Sequence, residues 1–121
     1  MKKILSILIV FVTGAILSCS SSDEIEVQSL PSLVSEKFIS DNTYEVVCRG
    51  FPKQGLEGYQ KHESAKRAAL LNAYYFARAR FDDSVQPDRD GMVVKYDVMD
   101  EFVIIQYRIQ KSNLKRYVKK N

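Results

Sequence analysis

Glu63–Phe81, ESAKRAALLNAYYFARARF, decides how this 121-residue chain folds. Ala, Leu, Lys, Arg and Glu dominate the stretch, and all favour helix. Stepping about 100° per residue gathers Ala65, Ala68, Ala69, Ala73, Phe76 and Ala79 on one face, with Lys66, Arg67, Tyr74 and Arg78 towards the other. With the residues before it, the helical pattern runs from Leu56 to Phe81. Alanines let a helix approach its neighbour closely, so the face is expected to lie across a sheet. Asn72 falls inside that face, where an unpaired amide would cost about 1–3 kcal/mol; a hydrogen bond to backbone or a loop is therefore predicted. Glu63 and Arg67 have the spacing of an i,i+4 ion pair, worth about 0.2–0.5 kcal/mol.

Strand signals flank the helix. Thr43–Arg49, TYEVVCR, alternates Tyr44, Val46 and Cys48 with Glu45, Val47 and Arg49, the period of a half-buried strand. Gly50–Gly55, GFPKQG, is a turn by its proline and two glycines, and Asp82–Gly91, DDSVQPDRDG, is a loop on the same grounds. Met92–Gln110 reads as a β-hairpin about a two-residue turn at Asp100-Glu101. Val98 then pairs with Val103, Tyr96 with Ile105 and Val94 with Tyr107, all on one face. The expected fold class is α+β: a strand, a long helix and a β-hairpin, with one helix packed on a small sheet.

The sheet's second face is then expected to show Val47, Val93, Met99, Phe102 and Ile104 beside Glu45, Arg49, Lys95, Asp97, Gln106 and Arg108. It is too apolar to be wholly wet and too charged to be core. A domain of about 75 residues is also marginal on its own core. Both points argue for a partner: a second copy, another protein, or the segment preceding the domain.

That preceding segment carries the cellular address. Lys2 and Lys3 open the chain, and Ile4–Leu17 is a 14-residue apolar run broken by Ser6, Thr13 and Gly14. It is too short for a hydrocarbon layer roughly 30 Å thick and has the size of a signal-peptide core. The run closes at Ile16-Leu17-Ser18-Cys19, then turns polar in SSSDE. Residues 1–18 read as the leader, 19–42 as Cys19 and a tether, 43–111 as the domain and 112–121 as a basic tail. Leu30, Leu33, Val34, Phe38 and Ile39 are apolar enough for the tether's second half to dock on the domain. The tail's Lys115, Arg116, Lys119 and Lys120 form a candidate contact with anionic headgroups, set against the plainer reading of a solvated terminus.

Charge and cysteine usage exclude several classes. The whole chain is +3; removing 18 residues, two of them lysines, leaves 103 with 16 Lys and Arg against 15 Asp and Glu. Near-neutrality argues against nucleic acid as partner. With Cys19 taken by the attachment that its lipobox resemblance, given below, implies, Cys48 has no intramolecular partner, which excludes a disulfide scaffold and makes Cys48 a small buried hydrophobe. PDRDG, Pro87–Gly91, carries aspartates at two calcium-loop spacings, but Gln86 stands at the first ligand position and no second helix follows. His62 is the sole histidine, with no carboxylate or cysteine spaced to complete a metal or catalytic set. No GxGxxG, P-loop or GxSxG occurs. No enzyme, metal or cofactor is expected.

The ILSC run ending at Cys19 resembles the lipobox of bacterial lipoproteins, in the relaxed form of spirochaete-type members. Leu17 departs from the pattern by standing where a small or hydroxyl residue is commoner. Tyr44–Gly50, YEVVCRG, followed by ESAKRAALLNAYYFARARF, resembles small bacterial lipoproteins of the Lpp-twenty type and is similar to N-terminal domains of flagellar outer-ring proteins. The resemblance covers Tyr44–Phe81 and the lipobox. It implies acylation of Cys19, a small α+β domain held at the cell envelope, and a structural or protein-interaction role. Ser20 and Ser21 lack the aspartate of inner-membrane retention, which by resemblance favours the outer membrane. The alternative role is that of a lipoprotein holding a small or lipidic molecule between helix and sheet.

Overall fold

A computed structural model describes residues 32–120. The leader, Cys19 and the tether as far as residue 31 lie outside the described residues. The fold is α+β, one long helix on a four-stranded antiparallel sheet. Strands β1 (Leu33–Ser40) and β2 (Thr43–Gly50) form a hairpin; helix α1 (Gly58–Arg80) and the one-turn α2 (Pro87–Asp90) follow. Strands β3 (Gly91–Val98) and β4 (Val103–Gln110) form a second hairpin, and a short 3₁₀ turn covers Leu114–Tyr117. The spatial order is β1-β2-β4-β3, so β2 and β4 are central and lie beneath α1.

Two segments assigned outside residues 43–111 belong to this fold. Leu33–Ser40, expected as tether, is an edge strand whose Leu33, Glu36 and Phe38 pair with Cys48, Val46 and Tyr44. Its apolar Val34 and Ile39 are exposed and its register shifts twice, so the period-two signal is broken along the strand. At the other end, Leu114 is fully buried and Val118 bridges Phe81, so the expected basic tail joins the core. Leu114, Tyr117 and Val118 stand among five cations in a segment too short for a period to register as an element.

The close contact of α1 with β2 follows from residue size. Ala65, Ala69, Ala73 and Ala77 form the buried ridge, at strict i,i+4 spacing. Ala77 replaces Ala79, which is exposed. Opposite them a Cβ on Gly50 would stand 2.1 Å from the Ala69 amide nitrogen and 2.3 Å from the Ala65 carbonyl oxygen. Only hydrogen fits there. Beside this contact the Asn72 amide donates to the Arg49 carbonyl at 2.8 Å, the bond predicted for it. Glu63 pairs with Lys66 at 3.2 Å, three residues on, and not with Arg67 as expected.

The β3–β4 register holds at one end and slips at the other. Val98 pairs with Val103 and Tyr96 with Ile105, as expected, but Val93 and not Val94 pairs with Tyr107. Gly91 is seated against the Tyr107 ring, where its Cβ would come within 2.4 Å, and the Tyr107 hydroxyl donates to the Pro87 carbonyl at 2.7 Å. That seat and the Asp100-Glu101 turn differ by one residue in register. A bulge between Val93 and Lys95 absorbs the difference and re-aims the side chains before it. Gly50→Ala is expected to lower unfolding free energy by about 3 kcal/mol, the upper end of overpacking, measured by urea denaturation; Gly91→Ala is expected to act in the same direction.

Candidate interaction surfaces

The sheet has one face under α1 and one facing away. On β2 the away-facing positions are Glu45, Val47 and Arg49, cross-strand from Arg108, Gln106 and Ile104 of β4. Lys37 and Ser35 of β1 and Met92, Lys95 and Asp97 of β3 share their rows. Glu45 is at the centre and only 6% exposed. Its carboxylate accepts hydrogen bonds from Gln106 and, at 3.0 Å, from Arg108. Burial works to raise its pKa, but these two donors and the charges of Arg108 and Lys37 hold it below the ordinary carboxylate value. A fixed carboxylate on the same face as Val47 and Ile104 makes a patterned surface of apolar and charged groups.

The five residues expected on this face separate. Val47 and Ile104 lie on it, half-buried. Phe102 turns its ring to Phe51, 5.7 Å between centroids, and beneath the Arg49 guanidinium at 5.5 Å. Met99 is exposed in the hairpin turn, its amide donating to the Phe102 carbonyl. Val93 lies instead on the helix side, packed against the core, because the bulge reverses its orientation. Met92, 58% exposed, stands on the away face opposite Arg108 and escaped the sequence reading for the same reason.

A second polar cluster closes the edge of the helix-side face. The Tyr44 hydroxyl donates to Glu36, whose carboxylate also meets Arg80 of α1 at 2.8 and 3.2 Å. Burial works to raise the Glu36 pKa, yet Tyr44 and Arg80 hold it below its ordinary value of 4.5. Burial and the Glu36 carboxylate push the Tyr44 phenol well up. Phe38 and Phe81 flank the Tyr44 ring at 5.4 and 5.1 Å, so the cluster ties β1, β2 and the end of α1 together. Cys48 is fully buried, and burial pushes its thiol up to about 12, the chemistry of a small inert hydrophobe.

Among the described residues, no three His, Cys, Asp or Glu side chains come together to hold a metal ion. Asp90 of PDRDG instead accepts the Gln86 amide at 2.9 Å as part of the α2 turn. Of the four tail cations, Lys115 is occupied, 3.3 Å from Asp41 and over the Phe38 ring at 5.4 Å. Arg116, Lys119 and Lys120 are exposed. The Lys119 amide donates to the Arg80 carbonyl, which lays this segment along the end of α1. Outside α1, a shallow groove of about 410 Å³ is lined by Leu71, Tyr74, Tyr75, Arg78, Ala79 and Lys119.

No family model, no curated protein and no solved structure matches this chain. The surfaces must be read from their own chemistry.

Because Glu36 is more acidic folded than unfolded, it contributes stability that is fully present above its unfolded pKa, near 4.5, and is lost as pH falls through the lower folded value. Glu36→Gln should therefore reduce stability at pH 7 and flatten its loss on acidification below the ordinary carboxylate range. Urea midpoints for both proteins at neutral and acid pH check this; parallel acid losses would remove Glu36 from the account.

Proposed function

We propose that this protein is a membrane-anchored envelope lipoprotein, held through acylated Cys19 at the outer membrane, whose α+β domain has a non-enzymatic structural or protein-interaction role. The observation that carries the anchor is the apolar run ending at Ile16-Leu17-Ser18-Cys19. Among the described residues no helix is long and apolar enough to cross a membrane. Attachment through acyl chains suits such a domain: each buried CH₂ contributes about 0.8 kcal/mol, and more than one chain holds stably.

The interaction role is supported by the away face of the sheet. Val47 and Ile104 beside the Glu45–Gln106–Arg108 cluster, with Phe102 and Phe51 at one end, make a surface suited to a second copy or an envelope protein. The space between helix and sheet favours this reading over a ligand held there. Around Gly50 the α1 backbone rests directly on β2, with no room for even a methyl group.

Two measurements test the reading. The protein made in a lipoprotein-competent bacterium is expected to carry acyl mass on Cys19 and to enter the detergent phase, and Cys19→Ala to do neither; an unmodified wild-type mass would defeat the anchor. Changing Phe102 and Ile104 together to Ser is expected to alter oligomer size or partner capture while the protein stays folded. Retention of both properties would remove this face from the interaction.

A further inference from the structure

The outward side of α1 differs in kind from the sheet's away face. From Ser64 to Phe81 the helix has no carboxylate and four cations: Lys66, Arg67, Arg78 and Arg80. Lys66 is paired with Glu63, and Arg80 with Glu36. Arg67 and Arg78 remain exposed on the side opposite the buried alanines, and Leu71 and Tyr75 stand between them at helical spacing. Leu71 is 53% exposed and Tyr75 66%, large apolar surfaces for a helix whose other face is core. The Arg78 guanidinium lies 5.8 Å over the Tyr74 ring, and Lys119 adds a further cation at the rim of the same groove. Asp82 and Asp83, the next acids along the chain, follow the helix end.

We propose that this side of α1, through Arg67, Leu71, Tyr75, Arg78 and Lys119, docks the domain flat on an anionic lipid surface. The proposal rests on membrane attachment as read above. Charge complementarity selects the occupant: the carboxylate nearest the patch, Glu63, is paired with Lys66, and the cations that remain match anionic headgroups, each strengthening partitioning near such a surface about fivefold. Tyrosine places an apolar ring and a polar hydroxyl at the depth where headgroup meets acyl chain. Long arginine stems lie along apolar surface while their charged ends stay in water. The length of chain outside the structure permits the contact. Only thirteen residues, 20–32, separate Cys19 from β1, a reach of at most about 45 Å when fully extended. The domain is thus held beside the surface that the patch fits. Docking by α1 leaves the sheet's away face directed from the membrane, open to a partner.

The chain contains no tryptophan, which supplies a clean probe. Full-length Tyr75→Trp and Met92→Trp proteins are reconstituted in vesicles of phosphatidylcholine alone or mixed with phosphatidylglycerol, and acrylamide quenching is measured. With phosphatidylglycerol, Tyr75→Trp is expected to shift to shorter emission wavelength and to be protected from acrylamide, and Met92→Trp to stay accessible. Adding Arg67→Glu and Arg78→Glu should lower the docked-to-free ratio at least about 25-fold and restore quenching, as should high salt. Equal quenching of Tyr75→Trp in both vesicles, or protection of Met92→Trp instead, would overturn the proposal. Protection by an acidic peptide but by neither vesicle would pass the surface to a protein partner and overturn the lipid assignment. The intact mass of the same samples reports Cys19 acylation separately. The quenching comparison holds whether acyl chains or the apolar run keep the protein on the vesicle, so the two failures are distinguishable.

Discussion

The architecture turns on one contact without side chains. At Gly50 the last residue of β2 meets the backbone of α1 between Ala65 and Ala69, closer than any Cβ would allow. Because the helix comes so low there, small residues must continue along the ridge, and Ala73 and Ala77 do so. The core that remains is supplied from the sheet, by Tyr44, Val46, Cys48, Val103, Ile105, Tyr107 and Ile109, and from outside it by Phe81, Val85 and Leu114. Asn72 then has the Arg49 carbonyl within reach, and the hydrogen bond holds helix and strand in lateral register.

A thin helix–sheet contact requires closure at its edges, and polar groups do much of it. Glu36, Tyr44 and Arg80 join three elements at one edge, and Tyr107 with the Pro87 carbonyl joins β4 to α2 at another. Both phenols are buried with their hydroxyls bonded, so the desolvation cost of each is offset within the fold. The C-terminal segment completes the rim: Leu114 inserts, the Lys111 amide bonds Asn42 and the Lys119 amide bonds Arg80.

The two outward faces of the layers have different chemistry. The sheet's away face buries a carboxylate among its donors and leaves valine, isoleucine and methionine between charges of both signs. The outer side of α1 carries cations, leucine and tyrosine without acids from Ser64 to Phe81. The proposed membrane contact and the proposed partner therefore draw on opposite layers of the domain.

What was legible in the sequence followed from period and residue size. The α1 pattern, the alternation of β2 and β4, the Asp100-Glu101 turn and the bond required by Asn72 are local or nearly so, and 45% hydrophobic residues in clear periods suffice to mark them. The candidate face was legible only in part. Val47 and Ile104 sit on regular strands, where parity alone assigns the side, but Val93 and Met92 depend on a bulge that arises from two seats fixed independently, at Gly91 and at the hairpin turn. β1 was hidden because its apolar residues keep no period, Val34 and Ile39 being exposed and the register shifting twice, and the Leu114 segment because it gains its place from partners distant in sequence. The sequence by itself determined the elements with strong periods, α1 and the alternating strands β2 and β4. Tertiary structure decided the seating of the edge strand, the register shift and the pairing of Arg80 with Glu36, because each depends on contacts that no local pattern specifies.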